Sequence, residues 1–326
     1  MKILNGIADY EVTEANFESS RLALNFIGEY YPADYFHGIA GTAFRIGGIC
    51  PCAPTCTTAM HLRDLLELFG YECEECAYDD NDKDASLTKL TAAVRASIDA
   101  GIPAIVWNAF TACEFDIVTG YDENEQVFFG RGSHIGNTGD YAKMKWDYSL
   151  ENAGLVGLTA LIIKRGSGFF DKKGAEISAV KEAIRHANDM ENADKASGGE
   201  WVFLQGKAAY NRWADDFSKR DHKRGLGDAY CIGIYASCHA LAGPFIRRIA
   251  DGYPNVSGIL AKAVAYFDKE AEALTQSAPL LGWNSPETSA ERNAKAAVLL
   301  REAAKHYGTA IDLLAEAAED MRPYAE

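Results

Sequence analysis

The hydrophobic period of the chain changes twice, and this limits its architecture more than any single motif. Up to Ala100 the apolar residues recur mostly at helical spacing. From Ile102 to Lys164 they alternate or run continuously, and beyond Gly174 the strand signal disappears. Helices, then a sheet, then helices alone predict an α+β domain over residues 1–166 followed by an all-α helical bundle over 175–326. The stretch Gly166 to Gly174, GSGFFDKKG, is the natural linker.

Within the first part, Phe17, Leu22, Leu24, Phe26 and Ile27 give Thr13 to Gly28 a helical rhythm, with Asn16 or Thr13 as the N-cap. Further helices are expected from Thr57 to Phe69, ended by Gly70, and from Leu87 to Ala100, stopped by Gly101. A short strand starts at Cys73 and runs into an acidic loop ending near Asp84. Ile102 to Ala109, Phe115 to Tyr121, Gln126 to Phe129 and Leu155 to Lys164 have the β-branched and aromatic content of strands. Asp122 to Glu125 is the polar turn between the second and third of these. In the second part, helices are expected near 176–190, 201–218, 227–250, 257–277 and 286–321.

A chain of 326 residues is too long for one ordinary core, which agrees with two domains. Its formal charge of −15 argues against a nucleic-acid surface and against attachment to anionic lipid. No apolar run has the length of a membrane span, and the first residues lack a basic stretch leading into an apolar one, so a cytoplasmic protein is expected. Eight cysteines in that setting are expected to be reduced thiols rather than a disulfide framework. No cofactor is expected.

Three of those thiols fall in seven residues, Cys50-Pro51-Cys52-Ala53-Pro54-Thr55-Cys56, after glycines at 38, 41, 47 and 48. The prolines fix φ and remove donors, so this loop is rigid and is not regular helix. It delivers sulfur to the mouth of the helix expected from Thr57. A thiol there is a nucleophile candidate, because a helix N-terminus favours the thiolate. Small buried packing groups and metal ligands are the other fates open to Cys50, Cys52 and Cys56. Together with Cys73-x-x-Cys76 they supply enough sulfur for zinc, but the spacing is not that of a zinc ribbon and no metal is expected.

Four motifs carry a resemblance. In order they are G-I-A-G-T-A-F-R (Gly38 to Arg45), C-x-C-x-P-T (Cys50 to Thr55), G-I-P-A-I-V-W (Gly101 to Trp107) and E-F-D-I-V-T-G-Y-D (Glu114 to Asp122). This order resembles proteins related to the N-terminal domain of butirosin biosynthesis protein H, a family similar in turn to C39-type cysteine peptidases with a papain-like α+β fold. The second half is similar to the helical region of such proteins through Gly206 to Trp213 and Cys231 to Ile249.

The resemblance implies thiol-based chemistry on an acyl or amide bond of a small amine or peptide-like substrate, free or linked to a carrier protein. Its usual nucleophile opens the first long helix, yet Asn16 to Ser20 contains no cysteine. Its usual histidine heads the strand ending in G-Y-D, where this chain has Glu114, with Asp116 two residues on. Two readings follow: an acyltransferase or amidase with a displaced thiol, or a non-catalytic ligand-binding protein on a degenerate peptidase fold.

The candidate catalytic residues are therefore Cys50, Cys52, Cys56, Glu114, Asp116, His37 and His134. Glu114 and Asp116 alternate along a strand and so share a face, where paired carboxylates raise one another's pKa. His37 sits beside the glycine loop, and His134 lies in G-R-G-S-H-I-G after the hairpin. Glu18 and Ser19 on the first helix, with Arg45 and Arg131, are candidates for contacting substrate, the arginines through bidentate contact with a carboxylate or phosphate. The apolar stripes of the helical half leave room for a second copy of the chain as partner.

Overall fold

The structure is a computed structural model that describes residues 1–48, 60–148, 150, 157–164, 166, 168–197, 202–287 and 289–322. Cys50, Cys52, Cys56 and the expected start of a helix at Thr57 lie outside the described residues. The chain divides into two compact units, Met1–Ala33 with Met60–Asp171, and Asp34–Ala59 with Lys172–Glu326. The last break, after Asp171, falls inside the glycine-bearing linker stretch, whereas no shift of composition announces the passage of Asp34 to the second unit.

The first unit is α+β. Its elements are strand β1 (Lys2–Ile3), helix α1 (Ala15–Phe26), then, beyond the excursion into the other unit, α3 (Leu62–Leu68), β2 (Glu72–Ala77), α4 (Lys83–Asp99), β3 (Ala104–Trp107), β4 (Phe115–Asp122), β5 (Val127–Arg131), β6 (Ala142–Lys145) and β7 (Thr159–Lys164). The strands form one sheet in the order β2-β7-β3-β4-β5-β6, and every pairing is antiparallel. β4 pairs with β3 through residues 115–118, and β1 takes up the same edge at Gly120 and Tyr121, where β3 has ended. The sheet therefore closes over its central strand with a segment from the far N-terminus.

Strand alternation sends two sets of apolar residues to opposite faces. Val106, Val118, Phe128, Ala160 and Ile162 pack with Leu90, Val94 and Ile98 of α4. Residues of the other parity, Ile105, Ile117 and Leu161, are also buried, and α1 packs against β3 and β4. Burying each such aliphatic side chain contributes roughly 1.5–3 kcal/mol. Both faces are thus dry, which explains the unbroken apolar runs in β3 and β7. The same alternation separates the two cysteines of β2: Cys76 joins the α4 core, while Cys73, three residues away, faces the opposite side and cannot share a metal with it.

Helix α1 begins two residues later than expected. Its N-cap is Glu14, whose Oε2 accepts from the Phe17 N–H at 2.9 Å, and Asn16 lies inside the helix. Gly28, at φ +102°, ends it in the left-handed region that a side chain disfavours. The strand β6 has no counterpart in the sequence-based reading, because Ala-Lys-Met-Lys offers one buried side chain at the edge of the sheet.

Among its described residues the second unit is helical. It holds α2 (Ala33–Ala40), α5 (Lys172–Ala187), α6 (Ala193–Ser197), α7 (Gly206–Ser218), α8 (Leu226–His239), α9 (Ala242–Ala250), α10 (Ser257–Leu281) and α11 (Ala290–Asp320). α10 and α11 run along each other, and their buried faces mix Ala263, Ala273, Ala296, Ala303 and Ala310 with Leu260, Phe267, Leu300 and Leu314, small residues that let the backbones approach. Within this unit α2 replaces part of the loop expected after Pro32. The stretch 226–250 is long and apolar enough to cross a membrane, but 61% of its most apolar window is buried inside the protein.

Candidate functional site

The first unit gathers acidic side chains between the N-terminal end of α1 and the start of β4. Glu18 and Asp116 are fully buried, and Glu14 and Glu114 are 2% and 3% exposed. Three of them, Asp116, Glu18 and Glu114, lie close enough to Tyr10 to act on its phenol. The Tyr10 hydroxyl lies 3.4 Å from the Phe115 carbonyl and 3.5 Å from that of Arg131. Burial, then the charges of Asp116, Glu18 and Glu114, raise its phenol well above the ordinary value. One phenol thus registers carboxylates from a helix and from a strand that are almost a hundred residues apart in sequence.

Glu18 belongs to an ion-pair network. Its Oε2 and Oε1 accept from Arg21 Nε at 2.7 Å and Nη2 at 2.6 Å, and Oε1 also accepts from the Glu11 N–H at 3.0 Å. Arg21, 2% exposed, reaches Glu11 at 3.3 Å as well. Bidentate pairing of this kind holds a guanidinium where water is excluded. Ser19, one residue on, donates its hydroxyl to the Asn16 carbonyl at 2.8 Å. The Ser20 hydroxyl, fully buried, has no partner.

Asp116 is set differently. The β3–β4 loop turns back on left-handed residues at Asn108 and Cys113, where the Asn108 side-chain oxygen accepts from the Cys113 N–H and the Asn108 backbone N–H donates to the Glu114 carbonyl at 2.8 Å. This folds Phe110 and Thr111 over the strand, where their N–H groups donate to Asp116 Oδ2 at 2.6 and 2.9 Å. Oδ1 has no partner, and neither has the neighbouring Thr111 hydroxyl. Burial pushes the carboxyl up to about 7, against the two N–H donors, which favour the charged form.

Three of the described cysteines are held as thiols. Burial drives Cys73 up to about 11, burial followed by Glu74 raises Cys76, and burial followed by Glu114 raises Cys113. Cys50, Cys52 and Cys56 lie outside the described residues. Among the described residues no group of three or more metal-ligating side chains occurs.

Other sequence candidates take structural posts. Arg131, expected to face substrate, donates through Nε to the Ile7 carbonyl, contacts Gly136 and Gly139 carbonyls through Nη1, pairs with Asp9 at 3.0 Å and lies over the Tyr141 ring. Its guanidinium ties the N-terminal segment to the loop after β5. His134, on that loop, is exposed. His37 and Arg45 belong to the second unit. His37 is fully buried with Nδ1 2.8 Å from the Thr42 hydroxyl, and Arg45 pairs with Glu182 at 2.7 Å.

Tyr10 and Arg21 did not stand out in the sequence. Arg21 had one local signal, a carboxylate three residues earlier on the same helix face. Tyr10 had none, because its partners are a hundred residues away. Compared with protein-family models and with curated proteins, the sequence matches none.

Proposed function

We propose that the first unit holds the amine of a small amine or peptide-like ligand against its buried carboxylates. On this reading the protein is a ligand-binding member of the cysteine-peptidase-like group related to butirosin biosynthesis protein H. The observation that carries the proposal is Asp116, whose carboxyl is fully buried and whose Oδ1 has no partner. A buried carboxyl oxygen is costly unless paired, and an ammonium group is the partner that its chemistry selects.

An ammonium docking beside Asp116 favours its charged form and so displaces a proton. Calorimetry with a polyamine such as spermidine, near pH 6 and in buffers of different ionisation enthalpy, is expected to show binding with proton release, and Asp116→Asn is expected to abolish the release. Flat melting temperatures across polyamines, aminoglycosides and amino acids would sink the proposal.

A second reading is supported by the same carboxyl. A base titrating at about 7 suits acyl transfer or amide hydrolysis, and the nucleophile then comes from Cys50, Cys52 or Cys56. Iodoacetamide labelling followed by peptide mapping decides it. One of those three thiols is expected to react fastest at neutral pH, and uniform slow labelling of all eight cysteines removes the chemistry.

A further inference from the structure

The second unit contains a cavity of about 540 Å³ that the carboxylate cluster of the first unit does not involve. Arg220, Asp221, His222, Lys223 and Arg224, from the segment joining α7 to α8, form one wall, and Glu287, Ser289, Ala290 and Asn293 at the head of α11 form the other. In a chain of net charge −15, three cationic side chains within five residues are a local reversal of sign.

The α11 end adds to it. The helix runs for 31 residues, Ser289 is its N-cap, and the Ser289 hydroxyl accepts from the Arg292 N–H at 3.3 Å. The first N–H groups of such a helix have no acceptor within it, and the aligned peptide dipoles place partial positive charge there. Arg224 is committed elsewhere, donating to the Leu281 and Gly282 carbonyls. Arg220 and Lys223 are exposed and remain as the cations that an anion would meet.

Asn293 says more about the ligand. It lines the cavity, is 2% exposed, and uses Nδ2 to donate to the His222 carbonyl at 2.9 Å. With Nδ2 so engaged, the atom left over is Oδ1, a buried acceptor with no partner. His222 Nε2 on the opposite wall has none either. Inorganic phosphate offers Asn293 Oδ1 at most its single P–OH, and only by turning that group away from the cations, whereas a sugar ester offers several hydroxyls beside its phosphate. The volume also exceeds what an inorganic anion fills and falls in the range of sites for small organic ligands, about 300–1,000 Å³.

We propose that this cavity binds a small phosphorylated sugar, its phosphate on Arg220, Lys223 and the α11 N-terminus and a hydroxyl donating to Asn293 Oδ1. Asp221 and Glu287 on the walls accept further hydroxyls and discourage a second phosphate.

The test is calorimetry on the full chain with glucose 6-phosphate, glucose and inorganic phosphate as probes. Glucose 6-phosphate is expected to bind, and more tightly than either glucose or phosphate. The Arg220→Ala/Lys223→Ala variant, altered only at exposed positions, is expected to weaken it by about tenfold, or about 1.4 kcal/mol. Its melting temperature without ligand is expected to match the parent's. No binding of glucose 6-phosphate, or equal affinity in the double variant, overturns the site. Phosphate binding as tightly as the ester overturns the sugar.

Discussion

His239 Nδ1 lies 2.6 Å from Glu270 Oε1, and both side chains are completely buried. His239 Nε2 is 2.8 Å from the Arg45 carbonyl, so both ring nitrogens face acceptors, and the ring must carry both protons to satisfy them. Tyr210 donates to the same Glu270 oxygen at 2.5 Å, and the Tyr307 hydroxyl donates to the Phe44 carbonyl at 2.9 Å. These side chains, with Tyr235 on Gly47, fasten residues 44–47 to the helices of the second unit. The segment leading to the cysteine loop thus ends in a fixed anchorage.

That pair sets a pH dependence. Burial alone would lower the His239 pKa, but the Glu270 carboxylate outweighs it and the value is raised from 6.5. The stabilisation is therefore fully present below about pH 6.5 and is lost as pH rises through the folded-state value. Glu270→Gln leaves a buried cation without its anion and is expected to cost about 3–5 kcal/mol below that window. Thermal melts across neutral to alkaline pH check this: the parent is expected to lose its advantage over the variant as pH rises. A gap that is constant with pH contradicts the ionised pair.

Asp116 gives the opposite kind of test. Its carboxyl titrates at about 7 when folded and near 3.8 when exposed, so the folded state keeps a proton that the unfolded chain has released. Stability then falls as pH rises between those values, by at most about 1.4 kcal/mol per pH unit. Asp116→Asn keeps an oxygen for the Phe110 and Thr111 N–H groups and removes the titration. The variant is expected to melt higher than the parent above pH 7 and to match it at the acid end of the window, with urea unfolding at several pH values as the measurement.

The Glu18–Arg21 pair separates network from packing. Glu18→Ala leaves the Arg21 guanidinium, 2% exposed, with only Glu11 at 3.3 Å and the Tyr31 carbonyl, and is expected to cost about 3–5 kcal/mol. Replacing both residues, as Glu18→Gln/Arg21→Met, is expected to recover much of the loss, because no buried charge then lacks a partner. Chemical denaturation of Glu18→Gln, Arg21→Met and the double variant closes the cycle. Additive losses would mean that the charges act independently.

The α+β first part and the helical second part were legible because their elements obey local periods. Ala104 to Val106 and Ala160 to Ile163 are unbroken apolar runs, and Leu90, Val94 and Ile98 repeat every four residues. Glu114 and Asp116 stood out by their spacing, and both are buried. What escaped was non-local. The β1 strand is two residues long and exists through its pairing with Gly120 and Tyr121. Arg131 had the composition of an anion-binding residue, and only the folded chain supplies the carbonyls of Ile7, Gly136 and Gly139 that occupy it. Tyr10 likewise acquires its carboxylate neighbours through the sheet.

Helix α2 escaped for a reason that can itself be tested. Gly38 counts against a helix in any propensity scale, by about 1 kcal/mol relative to alanine. Here the glycine is required by packing: a β-carbon on it would lie 2.2 Å from two ring atoms of Phe245 and 2.7 Å from a third. Phe245 is fully buried, with the rings of Tyr35 and Phe44 at centroid distances of 6.1 and 5.9 Å, so it has no room to swing aside. Gly38→Ala should therefore destabilise the protein although it improves helix propensity, by about 1–3 kcal/mol as overpacking typically does. Phe245→Leu removes ring atoms from the point of collision and costs stability by itself. In its presence Gly38→Ala is expected to become neutral or favourable, because the helix preference is then all that remains of the change. Melting temperatures of the four proteins decide between packing and propensity, and a Gly38→Ala variant as stable as the parent would show that Phe245 does not hold the helix at that glycine.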